Sequence, residues 1–360
     1  FNAAKPLIDK IFIKFPLHKI VISTTTITGS EAVEKHYKSQ VIHCFFPFDI
    51  PFIVSSFLKK IKPVACILLE TEIWPNLITK LKHKNIPVML VNARLSKKSF
   101  KKYNKFSPKL VSSTLNSLSI ICSQNESSSK RFISLGANNN IITTGSLKFD
   151  SNEPSNSKTI QTLKNITGDR RIVVFASTRK GEELQIIKSY LALKSKFNAL
   201  LLMVPRHPER FNEVFNMVNE TGLNVKRRSL AGHCEQDTDI LIGDSMGEMM
   251  SYLNISDIAF IGGSLTNNGG QNMLEAASLS KPIIFGPSVF NFEEISKKLL
   301  DDGSAIQVSS AEELMKTICE LLLDNEKRKL IGQSAKTTFE NNRGAVARVF
   351  EAIAPHIENI

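Results

Sequence analysis

Long apolar runs are missing from this 360-residue chain: no window approaches the ~18 consecutive apolar residues of a membrane-spanning helix, which excludes a helical transmembrane body. Cysteine is sparse. Cys44, Cys66, Cys122, Cys234 and Cys319 are scattered, with no C-x-x-C and no histidine at metal-ligand spacing, which excludes a disulfide framework and a zinc site and reads as reduced thiols in a cytosolic setting. One tryptophan and four tyrosines are too few for an aromatic stacking array, and no nucleic-acid-binding module is recognisable, so no nucleic-acid partner is expected. Neither G-x-x-x-x-G-K-[ST] nor G-x-G-x-x-G occurs, which argues against an ATPase and a dehydrogenase.

What is present points to two domains, each with its own core. Short β-rich runs recur between amphipathic segments: KIVISTTT (19–26), VIHCFF (41–46), VACILLE (64–70), PVMLVNA (87–93), SIICS (119–123) and IITTG (141–145), then RIVVFAST (171–178), ALLLMVP (199–205), DILIG (239–243), DIAFIGG (257–263) and PIIFG (282–286). Strands alternating with helices predict an α/β fold with parallel, doubly wound sheets. The Ser/Asn/Pro stretch SNEPSNSK (151–158) reads as a linker between a domain over 1–150 and another over 159–338, and the last segment, 339–360, reads as a helix that packs back on the first domain. Two such halves predict a central cleft, with ligands bound beyond the carboxyl ends of the strands.

Charge is divided unequally. Residues 1–150 hold 22 Lys+Arg against 8 Asp+Glu, a net +14, whereas the remainder is close to neutral, so the basic half is expected to face an anionic partner.

Several candidate residues follow directly after predicted strands: Glu70 and Glu72, Arg94, Lys148, Arg179 and Lys180, Arg206 and His207. In VPRHPERF (204–211), Arg206 can grip a phosphate in bidentate fashion. The turn GDSMGEM (243–249) offers backbone donors and Met246 as a platform for a flat base, with Ser245 placed to cap a helix beginning near Met246. GGSLTNNGGQNMLEAA (262–277) reads as a glycine-rich anion seat leading to Glu275, whose carboxylate can accept from sugar hydroxyls. ETEIWPN (70–76) carries the only tryptophan, with Glu70 and Glu72 on the same side of an extended segment or, equally, serving as helix N-terminal acids. Asp237-Thr238-Asp239 precedes its strand and reads as a solvated loop, not a metal motif.

Taken in order, STTTITGSEAV, ETEIWPNLI, VNARLSKKSF, TGSLKFD, VPRHPERF, GDSMGEM, GGSLTNNGGQNMLEAA and KPIIFGPSVFNFEEI resemble the 3-deoxy-D-manno-octulosonic acid (Kdo) transferases of lipopolysaccharide assembly. The resemblance implies a GT-B architecture with two Rossmann-like domains facing a cleft. It also implies inverting, metal-independent transfer of Kdo from CMP-Kdo to a primary hydroxyl of the lipid A precursor lipid IVA, at the cytoplasmic face of the bacterial inner membrane. By motif match it places Pro205, Arg206, Met246, Gly247, Glu248, Asn272, Met273, Leu274 and Glu275 against CMP, and Glu70 and Lys148 in transition-state stabilisation. The +14 half would then suit a bisphosphorylated glycolipid and an anionic membrane surface.

Two departures carry expectations. The family's general-base glutamate and its membrane anchor match positions upstream of Phe1, so the chain as given is expected to bind CMP and to transfer little sugar. Gln271 stands where the family has histidine, which is expected to keep the geometry and to lose some phosphate affinity. Competing readings are a GT-B enzyme using a UDP-sugar and a lipid-linked acceptor, and a two-lobed ligand-binding protein without chemistry.

Overall fold

A computed structural model describes the chain except residues 139, 151–154, 231 and 359–360 and the side chain at 106. The backbone divides into two compact units, Phe1–Ser151 with Asn342–Ile360, and Asn152–Asn341. Residues 151–154 of the predicted linker lie outside the described residues. Its last two residues already belong to the helix Ser157–Thr167, which starts earlier than expected because Asn156 caps it, accepting from the N–H groups of Lys158 (3.0 Å) and Thr159 (3.3 Å).

In the first unit, β1 (Val21–Thr24) and β2 (Ile42–Phe45) pair with each other, and β3 (Cys66–Leu69), β4 (Val88–Ala93), β5 (Ile120–Ser123) and β6 (Ile141–Thr143) form a four-stranded parallel sheet in simple succession. The pair stands apart as a separate sheet, with Ile42 and Phe45 exposed. All of β4 is buried. Its alternate residues serve two cores: Val88 and Leu90 pack with Leu77, Ile78, Leu115 and Phe132, while Met89 and Val91 pack with Leu7, Val349, Phe350 and Ile353. Helices therefore cover both faces, and each such apolar side chain contributes about 1.5–3 kcal/mol on burial. Burial also pushes the Cys66 and Cys122 thiols up to about 12, which leaves them protonated.

The second unit is a seven-stranded all-parallel sheet. In chain order its strands are β7 (Ile172–Thr178), β8 (Leu200–Pro205), β9 (Val225–Arg227), β10 (Ile240–Ile242), β11 (Ile258–Ile261), β12 (Ile283–Phe285) and β13 (Ala305–Gln307); across the sheet they run β13-β12-β11-β7-β8-β10-β9. The chain places β8, β9 and β10 on one side of β7, with β10 entering between β8 and β9, then crosses to β11 on the other side. The carboxyl ends of β7 and β11 thus flank a topological switch point, where open α/β sheets bind ligands. No described helix is long and apolar enough to cross a membrane.

The helix Ala345–Ile353 belongs to the first unit and packs on the helix Lys5–Lys14 and on β4 and β5. Asp150 holds its start: one carboxylate oxygen accepts from Gly344 N–H (2.8 Å), the other from Val346 N–H (2.7 Å), and Arg348 Nε donates to the Thr144 carbonyl at 2.8 Å. A carboxylate on the first-turn N–H groups also meets the positive end of the helix dipole. Asp150→Ala should lower stability by about 1–3 kcal/mol, read as a lower midpoint in urea unfolding; an unchanged midpoint would remove Asp150 from this role.

Candidate functional site

At the carboxyl edge of the first unit's sheet, β3 ends at Leu69 and the chain turns at Glu70, which takes a left-handed φ of 60°. Glu70 and Glu72 therefore lie on a turn, not on the extended segment expected. Neither caps the following helix Pro75–His83, because Asp49 takes its first free donors, Asn76 N–H and Leu77 N–H, both at 2.9 Å. Pro75 occupies the first turn as expected, and Trp74 packs on Phe46, ring centroids 4.9 Å apart. Partial burial raises the Glu72 carboxyl above its ordinary range, with the Trp74 hydrogen bond pulling it down and the Glu70 carboxylate pushing it further up.

Asn92 ties this edge together, and sequence reasoning did not single it out. Fully buried in β4, it has φ 51° where the pairing with β5 shifts register between Leu90 and Ala93. Its Oδ1 accepts from Leu147 N–H at 3.0 Å, which obliges its Nδ2 to face the other way, toward Glu70 Oε1 at a long 3.5 Å. Its carbonyl accepts from Gln124 Nε2 at 2.9 Å. Glu70 after β3 and the Leu147-Lys148 turn after β6 are thereby referred to one buried amide. An asparagine in an otherwise apolar strand, PVMLVNA, was the available signal.

In the second unit every predicted site residue lies at or just beyond the carboxyl end of β7, β8, β10 or β11, on one edge of the sheet. Pro205 closes β8, and Arg206 N–H donates to the Thr178 carbonyl at 3.0 Å, which places the exposed Arg206 side chain beside the end of β7. There it meets Arg179, whose guanidinium hydrogen-bonds His207 Nε2. Neither Arg179 nor Arg206 forms an ion pair among the described residues. Burial, and next the like charge of Arg206, hold Arg179 below its ordinary value, against an opposing pull from the Glu182 carboxylate. Arg210, by contrast, is committed to Glu183 (2.6 Å), which is fully buried, and to Glu213 (3.3 Å).

After β10, Met246 is 59% exposed and Gly247 has φ 80°. Helix Met249–Ile255 begins three residues later than expected, and Ser245 does not cap it: its hydroxyl bonds Glu248 Oε2 and Tyr252 Oη, both at 2.5 Å. Glu248 also accepts from Arg228 (3.3 Å), and Asp244 is held below the ordinary carboxylate range by Ser229 and Arg227 although burial pushes it the other way. After β11, Asn272 Nδ2 donates to Glu275 Oε1 at 2.9 Å and its Oδ1 accepts from Leu274 N–H at 3.2 Å, while Met273 and Leu274 are fully buried.

The glycine-rich turn differs most from expectation. Three of its donors are already taken: Glu182, fully buried at the start of the helix after β7, accepts from Gly263 N–H (2.6 Å), Ser264 N–H (2.9 Å) and Leu265 N–H (2.8 Å), and also from Arg179 N–H (2.9 Å). Burial raises this carboxyl and the backbone bonds lower it. Gly262 is required for close approach, since a Cβ there would stand 2.6 Å from the Ser177 carbonyl oxygen and 2.7 Å from Thr178 Cα. Gln271 reaches the same place, its Nε2 3.1 Å from where a Cβ on Gly263 would lie, beside Arg179 Cγ at 3.4 Å.

Asp239, read as solvated, is buried: it accepts from Tyr190 Oη (2.9 Å), Lys194 Nζ (2.7 Å) and Asn224 N–H (2.9 Å) and braces the start of β10. Among the described residues no group of three or more His, Cys, Asp or Glu is placed to hold a metal ion.

Burial, and next Arg179, lower the His207 pKa, and the neutral ring accepts the Arg179 hydrogen bond. The unfolded chain therefore takes up this proton first as pH falls. The stability contributed by neutral His207 is complete above about pH 6.5, the ordinary imidazole value, and is lost as pH drops through the folded value. Tm measured between about pH 5 and about pH 8 should fall less toward acid in His207→Asn than in the natural chain; parallel curves would contradict the assignment.

The first 151 residues match the family model described as 3-deoxy-D-manno-octulosonic-acid transferase (kdotransferase), and residues 192–338 match glycosyl transferases group 1. A 3-deoxy-D-manno-octulosonic acid transferase of Haemophilus influenzae is 38% identical over 99% of this chain and 84% of its own length. One from Bordetella pertussis is 31% identical over 98% of this chain and 84% of its own. A solved glycosyltransferase from Rickettsia africae has a TM-score of 0.63 at 15% identity, covering 100% of this chain and 94% of that one. UDP-GlcNAc 2-epimerase from Neisseria meningitidis bound to UDP-GlcNAc reaches 0.64 at 14%, covering 98% and 97%. At such identities the structural likeness speaks for the fold alone, the GT-B class with two Rossmann-like domains. With sequence identity sustained along nearly its whole length, the chain is a glycosyltransferase and belongs to the 3-deoxy-D-manno-octulosonic acid transferase family.

Proposed function

We propose that this enzyme moves Kdo from CMP-Kdo to a primary hydroxyl of the lipid A precursor lipid IVA, with inversion and without a metal ion. The observation that carries the donor half is the pair Arg179 and Arg206, two guanidinium groups gathered at the ends of β7 and β8 with no carboxylate partner among the described residues. A single phosphate placed there would relieve their repulsion and stabilise the departing CMP, the work a divalent ion does in other enzymes.

The flanking turns suit the rest of the nucleotide. Met246 offers an exposed apolar face to the base. Asn272 holds Glu275 in place for ribose hydroxyls. Because Met273 and Leu274 are buried, any contact from them runs through the backbone. Glu248, tied to Arg228, Ser245 and Tyr252, serves by fixing the turn around Gly247. Gln271 beside Arg179 keeps the geometry of the family histidine and forgoes its charge. In the first unit, Glu70 and Lys148 are assigned to transition-state stabilisation, with Asn92 bonded to the Glu70 carboxylate and to the N–H of Leu147, the residue before Lys148.

The acceptor and location are inferred from the first unit's surface. The helix Lys97–Phe106 carries exposed Lys97, Lys98, Lys101 and Lys102, and Phe48 and Phe52 are more than 70% exposed. Cations with exposed aromatic residues suit a phosphorylated glycolipid in the anionic cytoplasmic leaflet of the bacterial inner membrane.

In titrations, CMP should bind more tightly than UMP or UDP, and Arg206→Ala should weaken CMP by about 10–100-fold, the worth of a charge-assisted phosphate contact. Unchanged affinity would refute the assignment of Arg206, and tighter UDP binding would favour a UDP-sugar donor. Sedimentation with phosphatidylglycerol vesicles should fall steeply as salt rises from ~0.05 to ~0.5 M; salt-insensitive binding would refute electrostatic docking.

A further inference from the structure

The glycine-rich turn after β11 lies at the switch point, where a phosphate would ordinarily be seated by converging backbone N–H groups. Here the three N–H groups that open the turn, Gly263, Ser264 and Leu265, are occupied from within. A carboxylate offers about four lone-pair directions, and those of Glu182 are all used: Oε2 accepts from Arg179 and Gly263 N–H, Oε1 from Ser264 and Leu265 N–H, over 2.6–2.9 Å. The group has no solvent exposure, and Arg179 and Gln271 crowd the turn. Immediately beside this filled seat, the guanidinium groups of Arg179 and Arg206 form no ion pair among the described residues.

We propose that Glu182 is a specificity residue that counts phosphates. Its carboxylate takes the place a second phosphate group would fill, so the site accepts a nucleoside monophosphate on Arg179 and Arg206 and turns away a nucleoside diphosphate. This rests on the donor reading above, in which the leaving group is a nucleoside monophosphate. The feature joins elements far apart in the chain, since the carboxylate follows β7 and the donors follow β11, and it gives the switch point a fixed negative charge that repels a second phosphate.

The test is a titration of CMP and CDP, and of UMP and UDP, into the natural chain, Glu182→Ala and Glu182→Gln, with circular dichroism to verify folding. The natural chain should prefer the monophosphate by about tenfold or more, on whichever base it binds. Glu182→Ala empties the seat, and its preference should move toward the diphosphate by about tenfold; inorganic phosphate should raise its Tm more than that of the natural chain. Glu182→Gln keeps the volume and offers a single acceptor oxygen, so it should lose Tm without gaining diphosphate. A natural chain that binds mono- and diphosphates equally overturns the proposal even if Glu182→Ala does not fold. A folded Glu182→Ala with an unshifted ratio overturns it too. Preference for uridine over cytidine would instead fail the donor reading, and the phosphate count would still be decided on the uridine pair.

Discussion

Within each unit every strand pairs in parallel with its neighbours, and that single directional constraint places the chemistry. A parallel strand cannot be reached by a tight hairpin, so each is followed by a crossover that leaves from the same edge of the sheet. Residues far apart in sequence then become neighbours because their strands end together. Arg206 follows β8 and Arg179 follows β7, adjacent strands whose last paired residues are Pro205 and Thr178. The turn after β11 lies against the other side of β7, which is why glycine is needed at 262 and why Glu182 can reach three N–H groups more than 80 residues away.

Charge in the second unit is arranged so that acids near the carboxyl edge of the sheet are paired while Arg179 and Arg206 form no ion pair among the described residues. Glu182, Glu183, Asp244 and Glu248 all lie near the carboxyl edge of the second unit, and each is satisfied by backbone donors, arginines or hydroxyls. Buried carboxylates are tolerated only with such partners. Once they are paired, Arg179 and Arg206 are left without an ion pair among the described residues, and burial, then the charge of Arg206, holds Arg179 below its ordinary value. The first unit solves a different problem. There a neutral buried amide, Asn92 in β4, reaches both the Glu70 carboxylate after β3 and the Leu147 N–H after β6.

Most of the strand set was legible because these sheets are buried on both faces. Continuous apolar runs such as IVVFA and LLLMV mark central strands whatever lies between them. The two unforeseen strands, β9 and β13, are the sheet's edges, and their Val225-Lys226-Arg227 and Ala305-Ile306-Gln307 lack such a run because an edge has a solvated side. The site was legible as positions after strands and illegible as partnerships. Asp239 looked solvated because its ligands, Tyr190, Lys194 and Asn224, come from elsewhere in the chain, and Ser245 looked like a cap because its alternative partner, Tyr252, is visible only once the helix is folded.

The glycine-rich stretch shows why composition and role can part. Glycine there answers steric needs of the turn itself, at Gly262 against β7 and at Gly269, where a Cβ would meet the Phe290 ring at 2.5 Å. A sequence rich in glycine before a helix therefore signals exposed donors only if nothing else in the chain claims them. In this fold Glu182 claims those of Gly263, Ser264 and Leu265, and the arginines without an ion pair among the described residues follow the next two strands, Arg179 after β7 and Arg206 after β8. Backbone N–H groups and paired guanidinium groups are two solutions to holding an anion; at the opening of this turn the chain has filled the first with its own carboxylate, and the proposed donor site uses the second.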